Sequence, residues 1–207
     1  MNKDKISPEN IFKNRALLTE TDEMWRAMHN DYFKINLKLK EETDKKEAVI
    51  EFWRRLAVRV ALSIIESLCF RMKIAILSHN ELFGEKLSPR IETPLREETY
   101  ALDEKGETMS RNVYYEPKRN LRFVFKEFAK VFNPDFRLKV DDKGWASYRE
   151  ALKIRNRITH PKNLWDLNCS EEEYKTVTEA YNWFERSITQ LLMPEEYEKY
   201  IKSLESK

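Results

Sequence analysis

Glycine, cysteine and surplus charge are all scarce in this chain. Its 207 residues include three glycines and two cysteines, and 38 basic residues stand against 36 acidic ones. Scarce glycine argues against a protein built from tight hairpins, and the many charged and aliphatic residues at helical spacings favour an all-α fold. The near balance of charge excludes a global polycation, so a contact with nucleic acid has to come from a local basic patch.

The sequence also lacks a run apolar enough to suggest a membrane span. Its most apolar stretch, 56–77, predicts a buried helix instead, because charged residues interrupt it. These residues are Arg59, Glu66, Arg71 and Lys73. The polar start of the chain, 1–5, does not resemble the apolar core of a signal peptide. We therefore expect a cytoplasmic protein without a membrane partner.

Cysteine and histidine are too few and too scattered to predict a metal centre. Cys69 and Cys169 lie far apart and neither belongs to a CxxC pair, so both are expected to be free thiols. The chain has three histidines, and their spacing from the cysteines matches no zinc motif. No metal and no cofactor are predicted.

Apolar residues recur every three or four positions through much of the chain, which is the period of amphipathic helices. Residues 1–20 are mixed and polar and predict an N-terminal arm, and a single helical domain is expected over 21–207. The first helix of that domain is predicted to begin at Thr21, which suits a capping position, and to end near Lys40.

A second, longer helix is predicted from the capping pair Asp44 and Glu47 to about Phe83. Its apolar arc is wide enough to predict the central rod of an antiparallel helical bundle. Residues 84–116 then change character, because prolines and glycines interrupt any helical pattern. This segment is predicted to be an insertion, either a small hairpin or an irregular loop.

The rest of the chain predicts further helices, each with a start signal of its own. Pro117 suits a first helical turn, and Ser170 with Glu173 forms a capping box. The predicted bounds are 117–132, about 142–159, 170–192 and a short helix from 194.

Chemically useful side chains concentrate in one stretch, 153–162, at the end of the predicted 142–159 helix. The candidates are Lys153, Arg155, Asn156, Arg157, His160 and Lys162. Asn156 and His160 share a helix face because they are four positions apart, and Arg155 flanks that face. Pro161 disfavours helical geometry at the residue before it, which leaves the imidazole free at the helix end.

Glu66 is the one acid in the middle of the apolar rod, and Arg155 continues the inward stripe of its own helix. Burying either charge without a partner is costly. We therefore predict that the two side chains lie close together and form an ion pair. Glu66 is explained equally well as a buried carboxylate that pairs with another structural cation.

Arg155, Asn156 and His160 together resemble the signature of HEPN domains, the higher eukaryotes and prokaryotes nucleotide-binding superfamily. That signature is an arginine, usually followed by a polar residue, with a histidine after four to six intervening positions, and four positions intervene here. The family is an all-α bundle with the signature near the end of its penultimate core helix. The resemblance in fold covers roughly residues 22–192.

The resemblance implies a metal-independent endoribonuclease of the toxin or phage-defence type, acting as a homodimer whose two motifs face each other. His160 would then serve as general acid or base, Arg155 would stabilise charge on the phosphate, and Asn156 would orient one of them. Glu66 joins this predicted catalytic set as the partner of Arg155. The remaining cations would hold the RNA backbone: Lys153, Arg157 and Lys162.

RNA, a second copy of the chain, and an antitoxin or defence-system protein are thus the expected partners. HEPN toxins paired with nucleotidyltransferase antitoxins carry a tyrosine where this chain has Lys162. Regulation through modification of such a tyrosine is therefore not expected here.

Two other interpretations of the same residues stay open. The chain can be a non-catalytic HEPN protein that binds RNA, a nucleotide or a protein partner, or a structural module in which the motif is coincidence. A histidine and arginines before Pro161 also suit an ordinary helix C-terminus. Likewise, the run 111–122, with Tyr114 and Tyr115, suits either an RNA path or a loop-to-helix junction.

Overall fold

The computed structural model describes residues 8–42, 46–84 and 86–192, with side chains from residue 19 onward. Six α-helices and one two-stranded sheet lie within these residues. Their bounds are α1 Pro8–Glu41, α2 Glu47–Phe83, α3 Pro89–Arg96, β1 Glu98–Leu102, β2 Thr108–Asn112, α4 Pro117–Phe132, α5 Lys143–Thr159 and α6 Glu171–Leu192. The predicted all-α character is confirmed, and the predicted short helix from residue 194 lies outside the described residues.

Helix α2 is the central rod of the bundle, as its wide apolar arc predicted. It contacts every other α-helix, and its buried side chains form a continuous stripe of small and branched residues: Ala57, Val58, Ala61, Leu62, Ile64, Ile65, Leu68 and Ile76. Gly84 ends the helix in the left-handed conformation with a φ of 65°, where a side chain would be strained. Phe52 is 50% exposed although it lies within this apolar helix, because Ile50 and Trp53 make the core contacts at this end.

The predicted start of the first helix at Thr21 was wrong, because α1 begins at Pro8 and runs through that position. The Thr21 hydroxyl accepts a hydrogen bond from Nε of Arg71 in α2, at 3.0 Å. No glycine or further proline stands between Pro8 and Thr21 to end the helix. The predicted cap Asp44 lies outside the described residues, and α2 begins after Lys46.

Helix α1 closes against α6 through an aromatic contact between distant parts of the sequence. The hydroxyl of Tyr181 lies 2.9 Å from Nδ1 of His29, and the ring centroids of Tyr32 and Tyr181 are 4.3 Å apart. The carboxylate of Glu185 lies 3.1 Å from the same imidazole nitrogen. Burial raises the pKa of Tyr181 far above its usual range, so this hydroxyl stays neutral.

The insertion at 84–116 is a short helix followed by a hairpin. In the hairpin β1 pairs antiparallel with β2, with Tyr100 opposite Ser110, so the hairpin alternative is confirmed. Helix α3 was not predicted, because Pro89 and Pro94 were taken as helix breakers. Pro89 occupies the first turn of α3, where a missing N–H costs nothing, and Leu95, only 2% exposed, anchors the helix in the core.

The last three α-helices begin within one residue of their predicted starts. Asp142 accepts a hydrogen bond from the backbone N–H of Trp145 at 2.9 Å, and Ser170 and Glu173 bond each other's backbone N–H groups at 3.2 and 3.1 Å. Helices α5 and α6 cross closely at Gly144, where an added Cβ would lie 2.2 Å from the indole of Trp183. The N-terminal end of α5 is thereby packed directly against α6.

Candidate active site

The predicted ion pair between Glu66 and Arg155 is confirmed. Nη2 of Arg155 on α5 donates to Oε1 of Glu66 on α2. The arginine side chain is 17% exposed and the carboxylate 43%, so the pair lies at the rim of the interface between the two helices. Nε of Arg155 is buried and makes no hydrogen bond within the described part of the chain, a cost of about 1–3 kcal/mol.

Asn156 and His160 lie at the exposed end of the same helix. The backbone N–H of His160 donates to the carbonyl of Asn156 at 3.0 Å, and His160 has left helical geometry, with φ −125° and ψ 60°, as the following proline requires. Arg59 from α2 bonds the carbonyl of Ile158 at 3.1 Å and ties this end to the rod. Both the Asn156 amide and the His160 imidazole are exposed.

The three motif residues differ in exposure, because Arg155 is half-buried whereas Asn156 and His160 are exposed. Asn156 is turned by roughly 100° from Arg155 around the helix, and His160 stands at the helix end, outside helical geometry. One protomer therefore presents a held arginine on one edge of α5, an amide on the adjacent face and an imidazole at the helix end.

The predicted RNA-binding cations differ in their exposure and in the hydrogen bonds that they already make. Lys153 is exposed and contacts Glu150 at 2.7 Å on its own helix, and Lys162 is exposed as well. Arg157 instead donates to the carbonyls of Trp165, Asp166 and Asn168, at 3.4, 3.0 and 2.8 Å. Its other amino group bonds Glu173 at 2.6 Å.

Those contacts give Arg157 a structural role and leave it fewer donors for the predicted phosphate contact than the two lysines have. They fix the 3₁₀ turn Leu164–Leu167 against α6. This turn displays Leu164 and Trp165, each 76% exposed. No periodicity marks these two residues, so sequence patterns gave no signal for an exposed indole beside the motif.

A small pocket of about 200 Å³ adjoins the ion pair on the α4 side. Its lining includes Glu66, Glu97, Tyr115, Asn120 and Tyr148. Burial, together with neighbouring Cys69 and Glu66, raises the pKa of Tyr148 far above its usual range, so its hydroxyl is neutral. Burial also raises the pKa of the Cys69 thiol to about 12, which leaves no thiolate to act as a nucleophile.

The described residues show neither a metal cluster nor a spanning helix. No group of three or more histidine, cysteine, aspartate or glutamate side chains is placed to hold a metal ion within the described ranges. No helix among them is long and apolar enough to cross a membrane. Comparisons with protein-family models, with curated proteins and with solved structures found no match.

Proposed function

We propose that the protein is a HEPN-type endoribonuclease that cleaves RNA as a homodimer without a metal ion. One observation carries the proposal: Arg155 is held in place by Glu66, and an exposed amide and imidazole stand at the end of the same helix. A charged pair kept at a helix rim, with a buried Nε that finds no hydrogen bond among the described residues, is a costly arrangement for a purely structural contact.

The chemistry needs a base, an acid and a cation. His160 of one protomer takes the proton of the ribose 2′-hydroxyl, and the oxygen attacks the adjacent phosphorus. The bond from phosphorus to the 5′-oxygen breaks as His160 of the partner subunit protonates that oxygen, which leaves a 2′,3′-cyclic phosphate and a free 5′-hydroxyl. Arg155 offsets the charge that builds on the phosphate oxygens, and Lys153 and Lys162 hold the flanking backbone.

A dimer is supported by the exposed face of α2 next to the ion pair. Exposed residues recur along it at spacings of three, four and seven, which is the pattern of a helix-pairing seam: Phe52, Arg59, Ser63, Glu66 and Phe70. Phe52 and Phe70 are each 50% exposed, and large apolar side chains of this kind anchor interfaces. A seam along this stripe would bring two copies of the motif toward each other.

The test is cleavage of total RNA in EDTA by the wild type and by His160→Ala, with Thr159→Ala as a control at the exposed neighbouring position. We expect fragments with cyclic-phosphate ends from the wild type and from Thr159→Ala, and a loss of at least about 100-fold in rate for His160→Ala. Equal cleavage by wild type and His160→Ala would contradict the assignment.

The alternative is a non-catalytic HEPN protein that binds RNA, a nucleotide or a protein. It is favoured by the same ion pair, because a guanidinium already bonded to Glu66 has fewer donors for a phosphate. Absence of cleavage by the wild type, with single-stranded RNA binding that weakens in Lys153→Glu and Lys162→Glu, would support the alternative.

A further inference from the structure

A groove of about 730 Å³ lies between α4 and the segment 134–140, on a part of the molecule that the HEPN motif does not use. Its floor is apolar and is formed by Phe123, Ala129, Phe136, Leu138 and Val140. Its rim is basic, with Arg122, Lys126, Lys130 and Arg137. No acidic side chain lines it, although acids nearly equal bases in the chain as a whole. The groove therefore combines an apolar base with an unbalanced positive rim.

The rim cations form a row on α4. Arg122, Lys126 and Lys130 follow one another at intervals of four residues, so they stand side by side along one edge of the helix. Lys130 is balanced by Glu127, at 2.8 Å, whereas Arg122 and Lys126 form no ion pair within the described ranges. Like charges at this spacing destabilise a helix, and an anionic ligand along the groove would remove that cost.

The opposite wall is an open strand-like edge. Burial alternates along it, with Phe136 buried, Leu138 and Val140 half-buried, and Arg137 and Lys139 exposed, which is the period of an extended chain. Residues 138–140 make no backbone hydrogen bond within the described part of the structure. Such an edge offers N–H and C=O groups to a second extended chain.

We propose that this groove docks an extended acidic peptide segment of a partner protein. The peptide adds as a strand to residues 138–140, places alternate apolar side chains on the floor, and presents carboxylates to Arg122 and Lys126. Because the cations are spaced along one edge of α4, they suit a peptide with several carboxylates along its length better than an amphiphile with a single anionic head group. Two of the five floor residues are aromatic, and Phe136 is only 6% exposed, which leaves the half-buried Phe123 as the one floor ring on which a nucleic-acid base could stack. The proposal stands independently of the nuclease assignment.

The test uses the full chain and a fluorescein-labelled peptide of about ten residues that alternates glutamate with valine or phenylalanine. Fluorescence anisotropy should detect binding to the wild type. The double variant Arg122→Glu/Lys126→Glu should lose at least about tenfold in affinity, because two attractive contacts become repulsive. Lys34→Glu reverses an exposed lysine on α1, a helix that contributes no residue to the groove lining, and should change affinity by less than about twofold.

A second probe keeps the proposal testable even if a variant unfolds. The same peptide, N-methylated at alternate amides, loses the N–H groups that pair with an edge and should bind the wild type at least about tenfold more weakly. Equal binding of this probe, or of a peptide with lysine in place of glutamate, would overturn the proposal. So would displacement of the acidic peptide by a polyuridine oligonucleotide at equal affinity, which would mark the groove as an RNA site.

Discussion

The ion pair between the buried Lys73 and the partly exposed Glu97 makes the sharpest prediction about stability. Lys73 on α2 is 0% exposed, and its Nζ lies 2.7 Å from Oε1 of Glu97 and 5.5 Å from the centre of the Tyr115 ring. Glu97 has a φ of 55°, the left-handed conformation in which glycine is the usual residue. A glutamate at this position is explained if its carboxylate is needed by the lysine.

Two opposing effects decide what Glu97→Gly does. Removing the side chain relieves roughly 1 kcal/mol of backbone strain. It also leaves the Lys73 ammonium buried without a partner, which costs about 3–5 kcal/mol for a fully buried pair. Because the Glu97 side chain is 39% exposed, solvent screening reduces that cost to about 2–3 kcal/mol. We expect a net loss of roughly 1–2 kcal/mol in the free energy of unfolding.

Urea unfolding followed by circular dichroism measures the change. The double variant Lys73→Met/Glu97→Gly removes the buried charge as well and keeps the relief of strain, so it should recover at least the wild-type free energy. Lys118→Met breaks a pair with Glu116 whose side chains are 43% and 40% exposed, and it should cost no more than about 0.5 kcal/mol. A double variant as unstable as Glu97→Gly alone would refute the reasoning.

Further predictions concern the site and its supports. Reversing either charge of the Glu66–Arg155 pair should lower the free energy of unfolding, and reversing both charges should restore most of that loss. A double reversal as unstable as the worse single one would show that the pair contributes little to stability. Arg157→Ala should lower the free energy of unfolding by about 2–3 kcal/mol through its lost hydrogen bonds, and a loss below about 0.5 kcal/mol in urea unfolding would contradict its structural role. Burial raises the pKa of Cys69 to about 12 and of Cys169 to about 11, so Ellman's reagent should label neither thiol rapidly at neutral pH until the chain is unfolded. Since both pKa values are raised by folding, the stability gained from keeping these thiols neutral is complete below their usual pKa and is lost as the pH rises toward 12.

Periodicity and local start signals predicted most of the fold. The spacing of apolar residues located α2, α4, α5 and α6 because each buries one continuous stripe, and that stripe is a property of the sequence alone. The helix start predicted at Thr21 was wrong because a threonine before acidic residues resembles a cap. Its hydroxyl instead bonds Arg71 of another helix. Pro94 was taken as a helix breaker, yet it lies inside α3. The anchoring of Leu95 in the core outweighs the local cost of an internal proline.

The candidate site was predictable only where a charge stood against its apolar surroundings. Glu66 and Arg155 each interrupt an apolar stripe, so a requirement for pairing followed from burial alone. The contacts of Arg157 with backbone carbonyls depend on how the chain turns after the motif, which no spacing reveals. The burial of Lys73 was hidden as well, since one lysine within an apolar run is equally compatible with a solvent-exposed head group.

The contact of α1 with α6 has a consequence for how the chain acquires its structure. His29 and Tyr181 are 152 positions apart, so at ribosomal speeds about 8–30 s separate the synthesis of the two residues. Helix α1 pairs first with its neighbour α2, and the side of α1 that carries Tyr32 stays uncovered until α6 is made. Throughout that interval the nascent chain offers chaperones an aromatic surface that the finished protein hides.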